Sequence, residues 1–236
     1  DDLKGVSAVV KLGAQVLAAS VAYFAGIHID VLGLPFVGLV QLGWLSYGVT
    51  VFWFVLAINA INLIDGMDGL ASSVVSLAAG TLFLMCLIED KAVACLILVS
   101  MLGGLGGFLR FNLNPASIFL GDTGSMSLGF ILSVISVHFT QKSSAVFSLV
   151  AALLILGLPI FDLGMAIVRR ALAGKRIFTA DQYHIHHILL RKGYSQNQSV
   201  LLLIVGAIAF EGLALAHIFI GDKLDALVLL SVMVGL

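Results

Sequence analysis

Residues 42–88 read LGWLSYGVTVFWFVLAINAINLIDGMDGLASSVVSLAAGTLFLMCLI, two apolar runs joined by a short polar segment. The runs, near 42–58 and 70–88, approach the length of about 20 residues that a helix needs to cross a bilayer. Working outward, similar runs lie near 8–26, 92–109, 125–140, 145–168 and 199–220, and an eighth begins near 224. Several are rich in Gly and Ala, which lets helix backbones approach closely in lipid. The segment 27–41, IHIDVLGLPFVGLVQ, contains Gly33 and Pro35 and reads as a re-entrant or interfacial hairpin. The composition agrees. Of 236 residues, 61% are hydrophobic and 11% charged, against about 45–50% and about 25% in soluble domains. The expected fold is all-α, a polytopic transmembrane helix bundle of about eight spans, with 1–236 forming a single domain.

Other classes are disfavoured. Twelve Lys and Arg scattered along the chain make no basic face, so nucleic acid is not an expected partner. Cys86 and Cys95 sit in apolar runs without metal-ligand spacing and read as small hydrophobes. The chain starts at Asp1-Asp2 with no Met and no signal peptide, and is expected to be an N-terminally truncated fragment.

Alternating the spans across a membrane sorts the connections. One side receives 1–7, 59–69, 110–124 and 169–198, with Lys4, Arg110, Arg169, Arg170, Lys175, Arg176, Arg191 and Lys192, and with Lys11 one turn inside a span. The other side holds Lys91, Lys142 and Lys223. Positive residues favour the cytoplasm, so the first side is expected to face it. Nearly every unusual polar cluster falls there: Asp1-Asp2, NAINLIDGMDGLA, RFNLNPASIFLGDTGS and DQYHIHH. Carboxylates, amides, glycines and histidines gathered at helix ends on one side read as an active site.

In the first cluster Asn59 and Asn62 precede Asp65 and Asp68. Residues three apart share a helix face, and carboxylates at a membrane boundary are costly unless paired or bound to a cation. Such oxygens suit Mg²⁺, which takes one or two carboxylates plus substrate phosphates. The plain alternative is a capped helix end with solvated aspartates. In the second cluster, Asn114-Pro115 starts a turn and Gly121-Asp122-Thr123-Gly124-Ser125 opens a helix. A helix start of this kind holds phosphate through backbone N–H groups, or Asp122 binds a metal, or the segment is a simple cap and turn. The third cluster is His184-Ile185-His186-His187, flanked by basic residues, which suggests an anion pocket or else a solvated loop. Asp162, late in a span, lines the site or pairs with a neighbouring base, and Glu211 is an intramembrane acid toward the external half.

The motifs DDLKG, NAINLIDGMDGLA, NPASIFLGDTGS, PIFD followed by RR, and HIHH occur in the order that characterises the polyprenyl-phosphate N-acetylhexosamine-1-phosphate transferase superfamily. The chain resembles that superfamily from Asp1 to about Ser199. IFLGDTGS, PIFDLGMAIVRR and HIHHILL look like the branch of undecaprenyl-phosphate α-N-acetylglucosaminyl 1-phosphate transferases. The other branch, phospho-MurNAc-pentapeptide translocase, usually has three adjacent histidines. The resemblance implies about eleven helices in the full-length fold. It implies attack of a lipid phosphate oxygen on the β-phosphate of a UDP-N-acetylhexosamine, with UMP leaving, as the first membrane step of cell-envelope polysaccharide synthesis. It further implies Mg²⁺, with Mn²⁺ as a substitute, an undecaprenyl phosphate acceptor, a bacterial cytoplasmic (inner) membrane location with the site facing the cytoplasm, and room for a homodimer.

Carried onto this chain, Asp1 and Asp2 match the aspartate pair, the first implied as general base. Asp65 and Asp68 match the DGxDG acids, and Asp122 the acid that binds Mg²⁺. His184, His186 and His187 match the histidine motif near the donor diphosphate. Asp1, Asp2, Asp65, Asp68, His186 and His187 are thus expected to be catalytic. Asn59, Asn62, Asn114, His184, Arg169 and Arg170 are expected to bind substrate, with Asp122, Asp65 and Asp68 on the metal. Asp181, Gln182 and Tyr183 are candidates for the sugar. Ile188 stands where the first branch commonly has Arg, and Met67 where Leu is usual. From another class, a transporter would place acids near mid-membrane on broken helices, whereas here they lie at helix ends.

Overall fold

The computed structural model describes residues 5–34, 38–142, 149–174 and 184–220. In chain order these form α1 (Ala8–Phe24), β1 (Val31–Leu34), β2 (Gly38–Gln41), a 3₁₀ turn (Gly43–Leu45), α2 (Ser46–Ile64), α3 (Leu70–Ile88), α4 (Ala92–Asn112), α5 (Gly121–Lys142), α6 (Leu149–Ile155), α7 (Gly157–Leu172), α8 (Ile185–Arg191) and α9 (Gln196–Ile220). Among the described residues, four helical stretches are long and apolar enough to cross a membrane: Gly43–Ile64, Leu70–Ile88, Ala92–Asn112 and Gln196–His217. The chain is therefore a helical membrane protein. The expected count of about eight spans is not reached there, and the span expected near 224 lies outside the described residues.

α2 is the central helix and packs against α1, α5 and α7, while α3 packs against α4, α5 and α9. Lipid supplies no hydrophobic drive between helices, so close backbone approach and interhelical hydrogen bonds must hold the bundle. Gly129 shows this on α5: a Cβ there would lie 2.8 Å from the Ile58 Cα and 3.1 Å from the Ala57 carbonyl oxygen. Around that contact the Phe54 and Phe130 rings lie 5.7 Å apart, tilted by 48°. The buried Trp53 indole donates to Ser136 Oγ at 3.2 Å. α4 is different. It packs mainly on α3, and a Cβ at Gly103, Gly104, Gly106 or Gly107 would meet nothing within 4 Å.

Three expectations are corrected. The fold is not purely helical, because part of 27–41 forms an antiparallel β-hairpin, Val31 opposite Gln41 through Leu34 opposite Gly38. Gly33 and Pro35 disfavour helix there, and Asp30 fixes the base of the hairpin: its carbonyl accepts from Leu42 N–H at 2.8 Å, and its carboxylate accepts from Ser46 Oγ at 3.0 Å. Within the run 145–168, the described residues form two helices broken at Leu156. Pro159 lacks an N–H, and its ring crowds the carbonyl four residues back, that of Ile155; Phe210 of α9 fills the space at Gly157. Finally, the run read as 42–58 continues to Ile64, so Asn59 and Asn62 are helical rather than part of the connection.

Candidate active site

The ends of α2 and α4, the starts of α1, α3, α5 and α8, and α7 at Asp162 meet at one end of the bundle, where long-range polar contacts tie them together. Asp122, in the first turn of α5, forms an ion pair with Lys11 of α1. Its other oxygen accepts from Asn62 Nδ2 at 2.8 Å. The same Asn62 amide lies 2.9 Å from Ser125 Oγ, and that hydroxyl donates to the Gly121 carbonyl at 2.9 Å. α1, α2 and α5 thus converge on one carboxylate. A negative charge at a helix start is favoured by the backbone dipole.

A second centre joins the two connections. Asp68 Oδ2 accepts from Asn114 Nδ2 at 2.9 Å and from the Ala116 N–H at 3.1 Å. Beneath it, Ser72 Oγ donates to Asn112 Oδ1 at 2.5 Å, and Asn112 Nδ2 donates to the Ile118 carbonyl at 3.0 Å. Gly69 adopts φ +75° at the entry to α3, against Leu113, a conformation that costs glycine little.

The histidines make a third centre. His184 and His186 are buried, and His187 is half-buried. The His184 and His186 rings are parallel within 5° with centroids 5.8 Å apart, and the His187 ring lies 4.2 Å from that of His186. A Cβ at Gly66 would come within 2.6 Å of His186 Nε2, so the ring seats directly on the α2–α3 connection. Burial, and next the neighbouring His187, push the His186 pKa down to about 4 despite Asp162. At neutral pH this ring is an uncharged donor and acceptor.

The remaining expected residues are placed as follows. Asp65 caps α2, and its N–H donates to the Asn62 carbonyl at 3.3 Å. Asn59 turns inward, with Nδ2 2.7 Å from Gln15 Oε1 and also 2.7 Å from the Val55 carbonyl. Arg169 and Arg170 occupy the last turn of α7; Arg169 is seven residues beyond Asp162 and so on nearly the same helix face. Asp1, Asp2, Asp181, Gln182 and Tyr183 lie outside the described residues. Among the described residues no three His, Cys, Asp or Glu side chains gather closely enough to hold a metal. Asp65, Asp68 and Asp122 therefore do not form a closed three-acid cage. Their hard oxygens still fit Mg²⁺, which keeps several waters and takes few protein ligands; at Asp122 a divalent cation would replace the Lys11 ammonium.

Sequence reasoning did not assign Lys11, Gln15 or Ser125 to this site. The signal for Lys11 was present, since a cation inside an apolar helix demands a partner. The partner stands 111 positions away, beyond any local pattern.

Residues 1–140 match the model of glycosyl transferase family 4. The chain is similar to the probable undecaprenyl-phosphate N-acetylglucosaminyl 1-phosphate transferase of Bacillus subtilis (strain 168), with 40% identity over 86% of this chain and 57% of that protein. It is 34% identical to the decaprenyl-phosphate N-acetylglucosaminephosphotransferase of Mycobacterium tuberculosis (strain ATCC 25618 / H37Rv), over 99% of this chain and 63% of the relative. It is 30% identical to the phospho-N-acetylmuramoyl-pentapeptide-transferase of Lacticaseibacillus paracasei, over 90% and 65%. The chain thus spans about three fifths of the length of these relatives.

Proposed function

This chain belongs to glycosyl transferase family 4, and on that premise we propose that it carries the catalytic core of a polyprenyl-phosphate N-acetylhexosamine-1-phosphate transferase. A phosphate oxygen of the lipid acceptor attacks the β-phosphorus of a UDP-N-acetylhexosamine. The bond from that phosphorus to the bridging oxygen breaks, UMP leaves, and a lipid diphosphate sugar forms. The observation that carries this reading is the convergence of Asp122, Lys11, Asn62, Asp68 and the histidines at one end of a bundle of membrane-length helices. A lipid phosphate reaches protein only at the membrane surface, and the helix ends lie there if the apolar runs cross the bilayer. The positive residues favour the cytoplasmic side for these helix ends, and the membrane is proposed to be a bacterial inner membrane.

Two anions must meet in this reaction, so negative charge must be neutralised where it builds up. Mg²⁺ held by Asp122 and Asp65, with Asp68 supporting the adjoining connection, would supply that charge and polarise the phosphates. Until a cation binds, Lys11 holds the Asp122 carboxylate in place. His186, neutral and seated on Gly66, donates a hydrogen bond to a diphosphate oxygen, and His187 stands beside it. Arg169 and Arg170 add positive charge at the end of α7. Asn62 orients Asp122, and Asn114 orients Asp68.

The donor is proposed to be UDP-GlcNAc, since two of the relatives are named for N-acetylglucosamine, and the acceptor undecaprenyl phosphate, for which the Bacillus subtilis relative is named. Similarity to a phospho-N-acetylmuramoyl-pentapeptide-transferase makes UDP-MurNAc-pentapeptide the competing donor. The test offers both donors to the full-length protein with undecaprenyl phosphate and Mg²⁺ and measures UMP release and lipid product. UDP-GlcNAc is expected to be used. Use of the pentapeptide donor alone would move the chain to the other branch, and use of neither would overturn the reading.

A further inference from the structure

Asp162 has no part in the roles above, yet it is 2% exposed and both its oxygens are engaged. Oδ2 lies 2.9 Å from His184 Nδ1, and Oδ1 accepts from the Ile185 N–H at 2.9 Å. α8 requires such a partner. A seven-residue helix is too short to be stable alone, and its first N–H groups have no acceptor within the helix. Its cap residue, His184, makes no side-chain cap bond. The missing acceptor arrives from α7, 23 positions earlier in the chain. A carboxylate only accepts, so the Nδ1 of His184 carries the proton. That leaves the Nε2 of a neutral His184 unprotonated and the ring orientation fixed. The His184 ring lies parallel to that of His186, and His186 in turn fills the space that any side chain at residue 66 would need.

We propose that Asp162 is a positioning residue: through His184 and the Ile185 amide it fixes α8 so that His186 stands against Gly66. The contacts form a chain from α7 through the histidine motif to the connection bearing Asp65 and Asp68. The catalytic consequence rests on the transferase reading, while the positional claim stands on geometry alone.

The experiment uses full-length protein in detergent, with Asp162→Asn and Asp162→Ala checked for monodispersity. Asparagine keeps an oxygen for Ile185, but its amide donates to His184 Nδ1 and forces the other tautomer. Its kcat is expected to fall about 10- to 100-fold, the usual scale for a group that orients a functional histidine. KM for UDP-GlcNAc is expected to change less than kcat, because His186 is misplaced rather than removed. The second readout needs no turnover: modification of His186 by diethylpyrocarbonate, followed by peptide mass spectrometry. His186 is 3% exposed and is expected to react slowly in the parent, at least about tenfold faster in Asp162→Ala as α8 loosens, and at an intermediate rate in Asp162→Asn, which keeps both contacts with the wrong tautomer. Parental kcat in Asp162→Asn would overturn the proposal, and so would parental modification rates in the two variants. A parent that transfers nothing would sink the transferase reading instead, and the modification rates would then decide the positional claim.

Discussion

Lys11 and Asp122 are each about one quarter exposed, so their attraction is partly screened and worth about 1 kcal/mol. Lys11→Met removes that ammonium from Asp122, whose other oxygen still accepts from Asn62. The expected result is a melting temperature about 2–4 °C lower in EDTA, with much of the loss recovered on adding Mg²⁺, which takes the place of the ammonium at Asp122. Equal melting with and without Mg²⁺ in this variant would argue against a cation at Asp122. His186 gives a second test. Its pKa is about 4 in the folded chain against about 6.5 unfolded, so the unfolded chain takes up the proton first. Its contribution is fully present above about pH 6.5 and is lost as pH falls toward 4. Melting measured from pH 7 to pH 5 should therefore fall more steeply in the parent than in His186→Gln. Parallel curves would show that His186 is not buried as described.

At the scale of helices, Gly129 and the glycines of α4 make a matched pair. A Cβ at Gly129 would press on the backbone of Ile58 at 2.8 Å, and backbone cannot rotate away. Gly129→Ala is expected to cost about 1–3 kcal/mol, as overpacking does. Gly103→Ala meets nothing within 4 Å and should be neutral or stabilising, by up to about 1 kcal/mol from helix propensity. Thermal unfolding in one detergent compares them, and equal effects would mean that α2 and α5 do not touch there. The same elements show what was legible beforehand. α3 was read at its observed bounds because 70–88 carries no charged residue and is bounded by Gly69 and Glu89. The break at Leu156 was missed because Gly157 and Pro159 sit inside an apolar run, and only Phe210, 53 positions on, makes the local geometry clear. The hairpin was half-seen: Gly33 and Pro35 announced a turn, but strand pairing depends on Asp30 and Ser46 beyond it.

For the whole molecule, the four membrane-length helices and the polar end they share predict sidedness. Ser117 is exposed at the end with the motifs, and Asp90 is exposed at the other. In a background lacking Cys86 and Cys95, a membrane-impermeant maleimide applied to intact cells should label Asp90→Cys and leave Ser117→Cys unlabelled until the cells are opened. The reverse pattern would invert the assigned orientation. The site was legible as a set of segments, since acids, amides and histidines cluster at helix ends in the sequence itself. Its wiring was not, because Lys11 with Asp122 and Asp162 with His184 join distant residues that no periodicity relates.

The doubly engaged Asp68 has a consequence for what a ligand meets on arrival. By accepting from both Asn114 and the Ala116 backbone, it fastens the α2–α3 connection to the α4–α5 connection. Each residue fixed in a loop costs about 1–2 kcal/mol of conformational entropy, and a loop ordered only on binding subtracts that cost from affinity. Here the ordering occurs when the chain folds. The two connections form one stiff rim, and an anion reaching it loses little binding free energy to the stilling of floppy backbone.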